Sequence, residues 1–230
     1  MSDLEPLKEH FRRQIDQYDD PARACSWRDA DVARRNFAAV SQLFAHETNP
    51  FSVYEVGCGF ATLGEFLSEH YPLATYSGSD LLPEMIDRAK ARNTAANVEQ
   101  RDILVNPPVQ QYDYVVISGL FNLRMSNDDE SWFTFVKSML RAAFGIAKKG
   151  LASNFLTSYV DFKRELGYYQ EPGRVFDFAE RELSRFSEIR HYYYPWEFTL
   201  LVYDKPKPLP FAPPPGKWPA EPQEHGGRTF

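Results

Sequence analysis

Several things are scarce in this chain, and each scarcity excludes a class. Two cysteines, Cys25 and Cys58, are too few for a disulfide framework. No apolar run approaches the ~20 residues of a transmembrane helix, and a chain charged from Asp3 onward predicts no signal peptide. Together these predict a reduced, cytoplasmic setting. Positive charge is also short: 26 Lys and Arg face 32 Asp and Glu, leaving a net −6. That balance argues against nonspecific binding to nucleic acid or an anionic membrane. No His, Cys and carboxylate cluster has metal-ligand spacing, no nucleophile elbow is present, and no internal repeat is found. A dinucleotide fingerprint is missing as well, because the position three after Gly59 is Thr62, where G-x-G-x-x-G needs glycine.

What is present centres on residues 53–67. Residues 52–56 have the β-branched and aromatic character of a buried strand. Gly57 and Gly59 follow and allow a tight turn with close approach of a ligand. Leu63, Phe66 and Leu67 then fall at helical spacing. Strand, glycine turn and helix in that order would offer backbone N–H groups to a cofactor. An acid, Glu55, stands two residues before the first glycine, and Cys58 lies inside the turn.

The run Glu55-x-Gly57-x-Gly59-x-Ala61 resembles the first motif of class I S-adenosylmethionine-dependent methyltransferases, E/D-x-G-x-G-x-G, with Ala at the third glycine. The run Gly78 to Met85 resembles the second. A closing acid there, Asp80, lies 23 residues beyond Gly57, the spacing at which an acid takes ribose hydroxyls. Asp102-Ile103 is similar to the adenine-binding position. The resemblance implies S-adenosyl-L-methionine as cofactor, with Glu55 on the methionine ammonium and Asp80 on the ribose. Leu81, Met85, Asp102 and Ile103 would then hold the adenine. Gly57, Cys58, Gly59, Ser118 and Gly119 complete the expected cofactor set. Asn106-Pro107-Pro108-Val109 resembles an amide-methylation motif but precedes the fourth strand instead of following it, so it reads as a stiff connection.

The periodicities predict helices over 4–18, 29–46, 128–144 and 174–184, with Asp29 as an N-cap. Strands are expected at 52–56, 73–79, around Val98, and at 112–117, 151–156, 187–194 and 196–203. The expected fold is therefore α/β, a three-layer αβα sandwich. Its seven-stranded, mostly parallel sheet has the last strand antiparallel. Residues 1–50 would be helices covering the sheet, 51–204 the methyltransferase domain, and 205–230 a tail. That tail holds eight prolines in 26 residues and is expected to be extended or disordered.

The first helices either cover a sheet edge or bring Trp27, Arg34 and Arg35 to the cofactor's methionine end. Ligands of a parallel sheet sit outside its carboxyl ends, so Asn122, Arg124, Tyr159, Tyr168 and Tyr169 are expected to form a pocket for a small polar acceptor. Asp161, His191 and Tyr159 are candidates for a base, with no motif behind any of them. O- or N-methylation of a small molecule is the expected function. A noncatalytic S-adenosylmethionine-binding protein and an NAD-dependent oxidoreductase are the rival classes.

Overall fold

The computed structural model describes residues 4–125 and 127–207. The expected tail therefore lies outside the described residues, apart from 205–207. Among the described residues no helix is long and apolar enough to cross a membrane.

Three helices come first: α1 (Glu5–Gln17), the short α2 (Pro21–Ala24) and α3 (Ala30–Ser41). Asp29 caps α3 by accepting the Val32 N–H at 2.9 Å. Then come β1 (Phe51–Val56), α4 (Thr62–His70), β2 (Ala74–Asp80), α5 (Pro83–Arg92), β3 (Val98–Gln100) and β4 (Tyr112–Ile117). The second half holds α6 (Asp129–Gly145), β5 (Ala147–Thr157), β6 (Tyr169–Gln170), α7 (Pro172–Glu182), β7 (Phe186–Arg190) and β8 (Glu197–Tyr203).

The sheet runs β3-β2-β1-β4-β5-β8-β7, with β6 paired to the end of β5. Strands β1 to β6 pair in parallel, while β8 is antiparallel to both neighbours, β5 and β7. The expected mixed sheet is thus observed, with differences in β5, β6 and β7. Strand β5 begins at Ala147, four residues before the expected start. The two-residue β6 is too short to carry a period-2 signal. Strand β7 stops at Arg190, opposite Thr199, four residues before the expected end.

Helices cover both faces, which is why the central strands are apolar without alternation. One face packs Val53, Tyr114, Val116 and Leu201 against Phe37, Val40, Leu63 and Phe66 of α3 and α4. The other packs Tyr54, Val115, Phe155 and Leu200 against Trp132, Val136, Leu140 and Phe178 of α6 and α7. Each such side chain, withdrawn from water, contributes roughly 1.5–3 kcal/mol. This rigid layer fixes the carboxyl ends of β1, β2, β4 and β5 on one side of the molecule.

Candidate active site

The glycine turn leaves β1 with φ of +74° at Gly57 and +50° at Gly59. A Cβ at Gly57 would stand 2.7 Å from Leu120 Cδ1, and one at Gly59 would stand 2.8 Å from Cys25 Sγ. The turn's donors are engaged within the protein. The N–H groups of Gly57 and Cys58 both reach the Ser79 carbonyl, at 2.8 and 2.9 Å, and that of Gly59 reaches Asp80 Oδ2 at 3.0 Å. The turn therefore contributes room more than hydrogen bonds. Ala61, at the third motif position, adopts φ +58°, a left-handed conformation that glycine takes without strain.

Asp80 closes β2 with Oδ1 on the Leu82 N–H at 3.0 Å. Burial holds its carboxyl above the usual range, partly offset by these backbone hydrogen bonds. Each carboxylate oxygen keeps a further lone pair for a ligand. Asp102 binds the Leu104 N–H through Oδ1 at 2.9 Å, and the adjacent Ile103 is buried. Glu55 lies elsewhere. It is 3% exposed and accepts the Tyr76 hydroxyl at 2.5 Å. Burial pushes its carboxyl up to about 8, against the pull of Tyr76 and with a small push from Asp80.

These pieces surround two cavities. The smaller, of about 110 Å³, is lined by Gly57, Gly59, Ser79, Asp80, Leu81, Met85, Asp102, Ile103, Ser118 and Gly119, together with Leu7 and Phe11 of α1 and Leu4 just before it. The Ser118 hydroxyl is buried there without a partner. The larger, of about 660 Å³, lies between α1, the segment around Trp27, the end of β5 and the 160–169 segment. Phe11, Cys25 and Gly119 border both, so the two meet at the end of β4.

The Methyltransferase domain family model matches residues 53–143. Rv1506c of Mycobacterium tuberculosis, which carries the name methyltransferase, is 33% identical over 156 residues, covering 67% of this chain and 93% of that protein. The chain belongs to the class I S-adenosylmethionine-dependent methyltransferases. Its fold is similar to the N-methyltransferase NodS of Bradyrhizobium japonicum solved with S-adenosylhomocysteine. There the TM-score is 0.61 at 15% identity, covering 85% of this chain and 96% of that one. It is also similar to the magnesium protoporphyrin IX methyltransferase of Synechocystis, with a TM-score of 0.59 at 14% identity over 87% and 95% of the two chains.

As a methyltransferase of this class, the chain uses S-adenosyl-L-methionine. The smaller cavity suits it: an apolar slot for a ring, a buried carboxylate and an orphaned hydroxyl are what an adenosine would complete. Of the cofactor residues expected from sequence, nine line this cavity, while Glu55 and Cys58 are outside its lining. Glu55 joins β1 to β2 by accepting the Tyr76 hydroxyl.

The expected acceptor residues separate. Asn122 and Tyr169 line the larger cavity, and so does Asp161. Tyr168 is 2% exposed and packs its ring edge-on to Trp132, because the chain turns it into the α6 face. Tyr159 is 65% exposed and faces the His191 ring, outside the cavity lining. Arg124 gives its backbone N–H to Leu166, and it too is outside. His191 Nε2 lies 3.3 Å from the Pro195 carbonyl oxygen. On the helical side, Trp27 reaches Gly119, where a Cβ would come within 2.5 Å of its ring. Arg34 instead pairs with Glu69 at 2.7 Å, and Arg35 lies over Tyr194 at 3.4 Å.

Two residues take places to which the sequence assigned no role. Asn154 is fully buried and its Oδ1 accepts the Gly119 N–H at 2.8 Å. Glu197 is 5% exposed and lines the larger cavity. Its signal was a carboxylate opening the apolar run Phe198 to Tyr203, since charges are rarely buried without a reason.

Proposed function

We propose that this methyltransferase methylates an oxygen or nitrogen of a small polar molecule held in the larger cavity. The observation that carries the reading is the shared border at Phe11, Cys25 and Gly119, which lets a cofactor in one cavity face an acceptor in the other. Asp80 would hold the ribose hydroxyls, and Asp102 the exocyclic amine. Ile103, Leu81 and Met85 would enclose the adenine, leaving Ser118 and Gly119 beside the reacting end.

The bound cofactor supplies an activated methyl group on a sulfonium centre. The protein's part is to orient the acceptor and to exclude water. Trp27, Phe11 and Leu123 supply apolar walls, and Asn122 supplies an amide oxygen without a partner. The mixture of Arg28, Arg164, Asp161 and Glu165 at the cavity supports a small polar occupant. The chain's net −6 supports a small molecule over a nucleic acid.

Calorimetry with S-adenosylhomocysteine tests the cofactor half. Asp80→Asn loses the charge and leaves one acceptor oxygen for the two backbone N–H groups of Gly59 and Leu82, and affinity is expected to fall by roughly 1–3 kcal/mol. Unchanged affinity in the folded variant would remove the ribose role. Transfer of a labelled methyl group into a small-molecule extract tests the acceptor half.

A further inference from the structure

Methylation of an O–H or N–H group leaves a proton to be removed, and none of the residues expected from sequence to act as base is buried in the cavity. Among the described residues, three carboxylates line it: Asp161, Glu165 and Glu197. Asp161 and Glu165 are exposed between β5 and β6, where water would serve equally well. Glu197 is buried, and its Oε2 has no hydrogen-bond partner. A buried oxygen without a partner is unfavourable, and a ligand that donates to it completes the set.

The register places it. Thr199 pairs with Asn154, and Glu197 with Leu156, so Glu197 is the diagonal same-face neighbour of Asn154, about 7–8 Å away between backbones. Asn154 in turn holds Gly119, where the two cavities meet. Burial raises the Glu197 carboxyl above its usual range, with a hydrogen bond from Asn36 and the charge of Arg35 pulling it back. That direction brings a carboxylate closer to the basicity useful for accepting a proton near neutral pH.

Resting on the acceptor site proposed above, we infer that Glu197 is a catalytic residue: an amine or hydroxyl of the acceptor donates to its Oε2 and surrenders its proton there during transfer. The acceptor's lone pair forms the bond to the methyl carbon, and the carbon–sulfur bond breaks with its electrons retained by sulfur. The proton passes to Oε2 and then to solvent. The acceptor is thus a small molecule presenting an O–H or neutral N–H group, its apolar portion set against Trp27, Tyr169, Tyr194 and Trp196. His10 is the competitor for this role, lining the same cavity with Nε2 2.9 Å from Ser26 Oγ.

The test uses the full chain, tritium-labelled S-adenosylmethionine and the small-molecule fraction of a bacterial extract, followed by purification of the labelled product and its unmethylated acceptor. Glu197→Gln, of the same shape, is expected to bind S-adenosylhomocysteine within about twofold of wild type. Its transfer should slow at least ~100-fold, and its complex with S-adenosylhomocysteine should bind the purified acceptor at least ~10-fold more weakly. Glu197→Asp should regain part of both. Transfer and acceptor binding near wild type in Glu197→Gln, or a comparable loss confined to His10→Gln, would overturn the role of Glu197 and leave the acceptor cavity standing. Wild-type protein that binds S-adenosylhomocysteine yet labels no small molecule would overturn the small-molecule acceptor, and Glu197 with it.

Discussion

Asn154 on β5 holds the backbone of Gly119, the second residue after β4, through a 2.8 Å hydrogen bond to its Oδ1. The contact ties the ends of two adjacent strands together where the cavities meet. It also fixes a glycine at φ +79°, packed under Trp27. Asn154→Ala would leave the half-buried Gly119 N–H without its partner. A loss of about 1–3 kcal/mol of stability is expected, measured as a lower urea midpoint. An unchanged midpoint would mean that Gly119 finds another partner at no cost.

Glu55 gives a pH dependence whose sign can be stated. Its carboxyl is held up to about 8 in the folded protein, mainly by burial, against an ordinary value near 4.5. The native state therefore keeps a proton that the unfolded chain releases. Its stabilisation is fully present below about 4.5 and is lost as pH rises through about 8, at up to about 1.4 kcal/mol per pH unit. Asp80 and Glu197 are shifted in the same direction, so the informative quantity is the difference from Glu55→Gln. Urea midpoints across this range should fall less steeply with pH in that variant. Parallel slopes would show that Glu55 is ionised in the native protein.

Ala61 is strained but also packed, its methyl lying with Cys58, Ile86, Ala89 and Val98. Ala61→Gly relieves about 1–2 kcal/mol of left-handed strain but loses a buried methyl and adds chain entropy, of similar total size. A change within about 1 kcal/mol is expected from thermal unfolding. Ala61→Val should cost more, because a β-branched side chain is an outlier at positive φ. Equal melting temperatures for all three would show that the turn changes conformation to accommodate them.

Much of this architecture was legible because its signals are local. The strand and turn around Gly57, the cap at Asp29 and the acid at Asp80 are written within a few residues each. The acceptor side was less legible because its residues meet only through strand pairing. Nothing near Asn154 in sequence announces Gly119, and Glu197 faces Leu156 across 41 positions of chain. Tyr168 and Tyr169 show the limit of composition: adjacent tyrosines point to opposite surroundings, one into the core and one into the cavity. Glu55 was legible as a motif residue, yet its bond to Tyr76 depended on a neighbour 21 residues away.

The insertion of β8 between β5 and β7 has a consequence for which parts of the site share a fate. The strand ends around Gly57 and Asp80 belong to β1 and β2, which do not pair with β8. Strand β8 is buried along its whole length and is hydrogen-bonded on both edges, and its first residue, Glu197, lines the larger cavity. A disturbance of β8 therefore reaches the larger cavity directly, while the nucleoside end rests on strands three and four places along the sheet.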